Sequence, residues 1–268
     1  MPLSFEHVIP KWISKLPLIR SQLEINESQL GNPHYLSKYE LDGSGSVVGV
    51  DFVERGRSFP MNAIEVRVVC SECNEGWMST LESSVSPYLA PLIAGAVVEL
   101  SQADFTTLAK WAVKTAMMFE FNDRSTISFT DAQRHDFYET RSIPPGVIVH
   151  AAFFGDDNKL RLFHTGMRWA ERDAAQNGTL GATAIVLGHV AFLVWNASHE
   201  DMLGVVASRA RGREELWSEL WPDAPPGPWD RIVWAPREGV GHLDIDLGAG
   251  MLANHSETDK DEMRRTDY

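Results

Sequence analysis

The spacing of apolar residues changes midway along this chain, and that change constrains the fold more than any other feature. Ser101 with Asp104 approximates a capping box, after which Phe105 to Met117 follow the helical period. Thr130 with Gln133 is expected to cap a second helix that runs to about Arg141. Val147 to Phe154 and Leu160 to His164 instead read as strands on either side of a hairpin-type loop, residues 155–158. Ala182 to Trp195 reads as one bulged strand or as two strands. Helices followed by strands predict an α+β fold with an antiparallel sheet.

In the first hundred residues the sequence patterns predict shorter strands and helices. Val47 to Glu54 and Ile64 to Val69 alternate in polarity as strands do. After Cys73, apolar residues are spaced for one face of a helix. We expect Pro87 to end that helix, because proline lacks a backbone N–H and clashes with the preceding turn.

The chain is long enough for one large domain or two small ones. We predict a first domain over residues 1–100 and an α+β domain of unknown role over residues 101–250. Residues 251–268 are polar and are expected to form a flexible tail.

Composition excludes several classes of protein. The formal charge is -13, from 24 basic and 37 acidic residues, which argues against a broad basic surface but not against one local basic groove. The chain has only 2 cysteines, so a disulfide-stapled fold is excluded. The opening residues lack the pattern of a signal peptide, and the most apolar stretch is too short to span a bilayer. We therefore expect a cytoplasmic protein without a membrane partner.

Two segments of the first domain carry residues suited to phosphodiester hydrolysis. One is Glu6-His7-Val8-Ile9-Pro10-Lys11-Trp12, and the other is Val69-Cys70-Ser71-Glu72-Cys73-Asn74-Glu75-Gly76-Trp77-Met78. Hydrolysis needs a base that deprotonates water, and neutral imidazole suits this near pH 7. It also needs a divalent cation, which prefers carboxylate and amide oxygens. Because Glu6 and His7 are adjacent, an extended strand would point them to opposite sides, and a bend would be needed to bring both to one site.

The segments EHVIPKW and VCSECNEGWMSTLE resemble the HNH endonuclease family, in its bacterial branch with EHVIP followed by C-x-x-C-N-x-G-W-M. The resemblance covers about the first third of the chain. It implies a ββα-metal core, in which two strands and a helix close around one divalent ion. It also implies a metal-dependent endonuclease, or its catalytically weakened descendant, with DNA or RNA as substrate.

The resemblance also assigns roles to individual residues. His7 matches the motif histidine that acts as the general base. Glu6 and Asn74 match the ligands of the divalent ion, which would be Mg or another divalent cation. Asn62 lies in the interval of the family's middle asparagine, although its spacing to Cys70 is longer than the common pattern.

Members of the family usually hold a structural zinc with two Cys-x-x-Cys pairs. Cys70 and Cys73 match the second pair, and the first would precede the EHVIP segment, whereas this chain begins five residues before Glu6. Two cysteines make an incomplete zinc site, since structural zinc takes four ligands. Either the first pair is missing from this sequence or this member has lost its zinc. A borrowed ligand such as His34 is not supported by spacing.

Alternatives to the nuclease remain. One is a degenerate, non-enzymatic HNH-like protein that binds or interacts. Another, a two-cysteine redox protein, is disfavoured because no thioredoxin-like βαβ pattern surrounds the cysteines. His150, His164 and His189 lie in strand-like patterns, which favours satisfied positions in the core or on a sheet face over metal ligation.

Overall fold

A computed structural model describes nine stretches of the chain. They are residues 3–20, 34–41, 47–55, 64–122, 127–154, 159–170, 177–198, 218–222 and 234–235. The predicted α+β class is confirmed, since helices and antiparallel sheets are both present. The predicted tail over 251–268 and Asn62 lie outside the described residues.

The first part of the chain contains two small antiparallel sheets. Strand β1 (Leu3–His7) pairs with strand β4 (Glu65–Cys70), which is much later in sequence. Strands β2 (His34–Leu41) and β3 (Val47–Arg55) pair with each other. The two strands predicted from alternating polarity correspond to β3 and β4.

Helical structure follows β4 without a connecting loop. The chain turns at Ser71–Cys73, widens over Asn74–Met78 around a kink at Gly76, and continues as helix α1 (Ser79–Ile93). Cys70 is the N-cap residue of this helical segment, and its sulfur accepts a hydrogen bond from the backbone N–H of Cys73.

Pro87 does not end helix α1, so that prediction was wrong. The carbonyl of Ser83 would normally accept from the N–H of residue 87, which proline lacks, and it instead accepts from the Ser86 hydroxyl at 3.2 Å. The buried face of the helix also continues past Pro87, through Leu89 and Ile93. Burial of this face compensates for the lost backbone hydrogen bond.

Two further helices begin with the predicted caps. Helix α2 (Gln102–Phe119) starts with a reciprocal capping box between Ser101 and Asp104, and helix α3 (Asp131–Thr140) starts with one between Thr130 and Gln133. In each box the first side chain accepts from the backbone of the third helical residue, whose own side chain accepts from the N-cap backbone. The capping residues therefore predicted the start of both helices, and the apolar periodicity predicted the course of α2.

A larger sheet forms the rest of the described fold. Its strands are β5 (Val147–Phe154), β6 (Lys159–Ala170), β7 (Asn177–Gly188), β8 (Val190–Ala197), β9 (Ser218–Trp221) and β10 (Trp234–Ala235). The main path runs β10-β5-β8-β7-β6, and β9 also pairs with β5. All pairings are antiparallel except that of β10 with β5. The apolar stretch predicted as one or two strands is two strands, β7 and β8. The hairpin predicted between β5 and β6 was wrong, because β5 pairs with β8, β9 and β10 whereas β6 pairs with β7.

The turn between β7 and β8 docks on the end of helix α1. The backbone N–H of His189 donates to the carbonyl of Ile93 at 3.1 Å, and Gly188 takes the left-handed conformation with φ of 59°. One continuous group of buried apolar residues runs from Val8 in the first part to Leu220 in the last strands. The division at residue 100 stays a prediction, and buried residues on both sides of it share this core.

Candidate functional site

The residues that the sequence singled out lie where β1, β4 and the following helical segment meet. β1 and β4 are antiparallel, with Glu6 opposite Val66 and His7 opposite Glu65. A register irregularity between Ser4 and Glu6 interrupts the pairing. Such a bulge bends a strand locally and redirects its side chains.

Glu6 points into the protein interior. It is only 5% exposed, and its Oε1 atom lies 2.7 Å from Nζ of Lys114 on helix α2. The same ammonium lies 2.6 Å from Oε1 of Glu82 on helix α1. Burial raises the pKa of Glu6, and the Lys114 ammonium opposes that increase. Glu6 is thus half of a buried ion pair that ties β1 to helix α2.

His7 lies on the other side of the strand. Its side chain is 18% exposed, and its Nε2 atom is 2.9 Å from Oε1 of Glu65 directly across the strand pair. In the neutral ring a hydrogen on Nε2 donates to Glu65, which leaves Nδ1 as the proton-accepting nitrogen. A carboxylate partner of this kind both orients the imidazole and selects its tautomer. The adjacent acid and base therefore diverge, as expected for neighbours on a strand.

Asn74 attaches the start of the helical segment to β1. Its side-chain nitrogen donates to the Ser4 hydroxyl at 3.0 Å and to the carbonyl of Phe5 at 2.9 Å. Its amide oxygen is the atom that remains to bind a cation. The structure thus brings Asn74 next to the strand that carries Glu6 and His7, across almost seventy residues of sequence.

Cys70 and Cys73 are unbridged and half-buried, and their sulfur atoms are 2.8 Å apart. The hydrogen bond from Cys73 lowers the pKa of the Cys70 thiol, while burial raises the pKa of the Cys73 thiol. Two cysteines are fewer than the four ligands that a structural zinc takes. His34 lies at the start of β2, where only the backbone is described.

The donors do not assemble a finished site for a divalent ion. Across the described stretches, no group of three or more His, Cys, Asp and Glu side chains converges as metal ligands would. The carboxylate of Glu6 is already paired with Lys114, whose positive charge would oppose a nearby dication. Glu6 and Asn74 have the oxygen donors that Mg prefers, and in this arrangement the Glu6 Oε1 atom is held by Lys114.

Sequence reasoning missed Lys114, Glu82 and Glu65. Lys114 did leave a signal, since it lies among apolar residues in the middle of helix α2, most of which is buried. A charged residue at such a position is almost never buried unless it is paired. The identity of its partners depends on tertiary contacts that no local pattern encodes.

A second buried polar cluster lies at the end of helix α2. The Glu120 carboxylate is fully buried and accepts hydrogen bonds from the backbone and hydroxyl of Ser128 and from the Arg134 guanidinium. His164 lies on β6, where its Nδ1 atom is 2.7 Å from Thr183 Oγ1 and its Nε2 atom is 3.5 Å from Glu120. This agrees with the predicted hydrogen-bonded position of His164 on a sheet face. The cluster has the satisfied character of a structural network.

Comparison with family models, curated proteins and solved structures finds no match for this chain.

None of the helices in the described part of the chain has both the length and the apolar character of a membrane span.

Proposed function

We propose that the first part of this chain is an HNH-type ββα unit that hydrolyses phosphodiester bonds in DNA or RNA, with His7 as the general base. The observation that carries the proposal is the placement of the motif residues. β1 pairs with β4 and the helical segment follows β4, with β2 and β3 inserted between the two paired strands. Asn74 from the helical segment binds β1 just before Glu6 and His7. Two motifs far apart in sequence thus meet at one junction.

The proposed role of His7 rests on its exposure and on its partner. Glu65 holds Nε2, so Nδ1 is the atom that would accept a proton from water. When a proton moves to Nδ1, the ring becomes an imidazolium, and the adjacent carboxylate of Glu65 stabilises that charge. General-base catalysis of this kind contributes about 100- to 10,000-fold to a rate.

Mg or another divalent ion is the proposed cofactor, and cleavage with and without the ion tests whether the reaction requires it. Glu6 would have to release Lys114 before its carboxylate could bind an ion, whereas the Asn74 amide oxygen needs no such exchange. A structural zinc would need two further ligands besides Cys70 and Cys73.

The test is cleavage of supercoiled plasmid DNA and of a labelled single-stranded RNA. Each is incubated with Mg, with Mn or with a chelator. The wild-type protein should cut at least one substrate, and His7→Ala should lower the rate about 100-fold or more. His135→Ala is the matched control, because His135 is an exposed histidine on helix α3. Equal cleavage by the wild-type protein and His7→Ala would remove His7 from the role of base.

A second candidate is a non-enzymatic HNH-like protein that binds nucleic acid or another partner. The observation that favours it is the buried pair of Glu6 and Lys114, which gives a proposed metal ligand a structural use. Fluorescence anisotropy with labelled DNA and RNA separates the two candidates. Salt-sensitive binding without cleavage, in any divalent ion, would favour the binding protein.

A further inference from the structure

We propose that Cys70 and Cys73 form a reversible dithiol–disulfide couple that exchanges electrons with low-molecular-weight thiols and disulfides. This activity is separate from phosphodiester hydrolysis and does not depend on it. The chain has only 2 cysteines, so no other intramolecular pairing competes.

The geometry of the pair is close to that of a disulfide. The two sulfur atoms are 2.8 Å apart, and a disulfide bond of about 2.05 Å requires them to approach by roughly 0.8 Å. Cys70 is the extended residue that ends β4, and Cys73 lies in the first turn of the helical segment. A Cys-x-x-Cys pair at the start of a helix is a common arrangement of reactive cysteines.

The surroundings of the pair contain donors without acceptors. Among the described residues, buried atoms Nε1 of Trp77 and Nη1 of Arg141 have no hydrogen-bond partner. The Arg141 guanidinium lies 4.5 Å from the centre of the ring of Trp77, which lies one helical turn after Cys73. The backbone N–H of Cys73 donates to the sulfur of Cys70 at 3.2 Å. The Cys70 sulfur therefore has a donor that stabilises negative charge during thiol exchange.

The exchange begins at Cys70. Its thiolate attacks one sulfur of a small disulfide, the S–S bond of that molecule breaks, and one thiolate leaves. Cys73 then loses its proton to that thiolate, attacks the Cys70 sulfur of the mixed disulfide and expels the second thiolate, which takes up the proton that Cys70 had lost. Two electrons pass from the protein to the small disulfide. The products are one protein disulfide and two small thiols.

The experiment equilibrates the full-length protein in buffers with graded ratios of reduced to oxidised glutathione. The thiols that remain are then alkylated and counted by mass spectrometry. In the wild-type protein both alkylation sites should disappear together in one two-electron transition. Cys73→Ser should stop at a mixed disulfide on Cys70, because the second attack is lost. Far-ultraviolet circular dichroism of each variant establishes that the fold is retained, and Cys70→Ser with Cys73→Ser together gives the background of alkylation.

Three results would overturn the proposal. In one, both thiols remain alkylatable in excess oxidised glutathione. In another, glutathione stays attached to the wild-type protein or links two chains, with no intramolecular disulfide. In the third, the purified protein holds a stoichiometric zinc ion on the two cysteines, which a thiol-blocking reagent releases. Because none of these readouts measures cleavage, they are independent of the outcome for the nuclease.

Discussion

Replacing Lys114 with Met isolates the contribution of the buried ion pair. Nζ of Lys114 is 2.7 Å from the carboxylate of Glu6, and the Lys114 side chain is 1% exposed. Met retains most of the side-chain volume but removes the charge, which leaves the Glu6 carboxylate buried without a counterion and takes the same partner from Glu82. Breaking a buried pair from one side costs about 3–5 kcal/mol in the free energy of unfolding. That is a large part of the 5–15 kcal/mol typical of a domain.

The cost of Lys114→Met should depend on pH in a defined direction. Burial already raises the pKa of Glu6, and removing the opposing ammonium raises it further. Because the folded state then binds a proton more readily than the unfolded state, stability is gained as pH falls through the raised pKa and lost above it. We therefore expect the destabilisation to be largest at pH 7 and smaller near pH 5.

Urea unfolding followed by tryptophan fluorescence measures this effect, since the chain contains 9 tryptophans. Lys110→Met is the matched control, because Lys110 lies on the same helix one turn earlier and is more exposed. The control should change stability by about 0.5 kcal/mol or less. Combining Lys114→Met with Glu6→Gln should recover part of the loss, because the more buried of the two carboxylates that lost Lys114 is then neutral. Equal costs for Lys114→Met and Lys110→Met would refute the reasoning.

Two further predictions concern the large sheet. Burial lowers the pKa of His150 on β5 to about 4, so the neutral ring is favoured in the folded state even with Glu219 at 4.0 Å. The free energy of unfolding should therefore fall as pH drops from about 6.5 towards 4, by at most about 3 kcal/mol. His150→Gln should reduce that dependence on pH, which urea unfolding at several pH values measures. An unchanged dependence would exclude His150 as its source. Gly188→Ala should lower the melting temperature, because φ is 59° and a Cβ atom would lie 2.4 Å from the carbonyl of Ile93, at a cost of about 1–3 kcal/mol. A melting temperature equal to that of the wild-type protein would show that the turn has room to shift.

Local sequence patterns predicted many of the helices and strands of this fold, but they did not predict which of these elements contact each other. The helical period and capping residues gave α2 and α3, because these signals lie within a few residues of one another. The prediction that Pro87 ends helix α1 was wrong, because the Ser86 hydroxyl donates to the Ser83 carbonyl in place of the missing N–H of Pro87. Tertiary packing rather than local sequence determines the pairing of β1 with β4 and the parallel pairing of β10 with β5.

The candidate site divides in the same way. The motifs singled out His7, Glu6 and Asn74, and the structure brings all three to one junction. Their partners could not be predicted, since the contact between Glu6 and Lys114 joins residues 108 positions apart. Alternation along a strand did predict that Glu6 and His7 would diverge. The packing of helix α2 against β1 buries Glu6 on Lys114 and leaves His7 as the more exposed of the two.

The most direct test of the proposed function is chemical rescue of His7→Gly by imidazole. The cleavage rate of a labelled nucleic acid is measured for this variant as imidazole is added, beside the wild-type protein and His135→Gly. If His7 is the base, the His7→Gly rate should be low without imidazole and should rise with its concentration, while the other two rates stay constant. Cleavage by His7→Gly at the wild-type rate, or no response of His7→Gly to imidazole, would contradict the assignment.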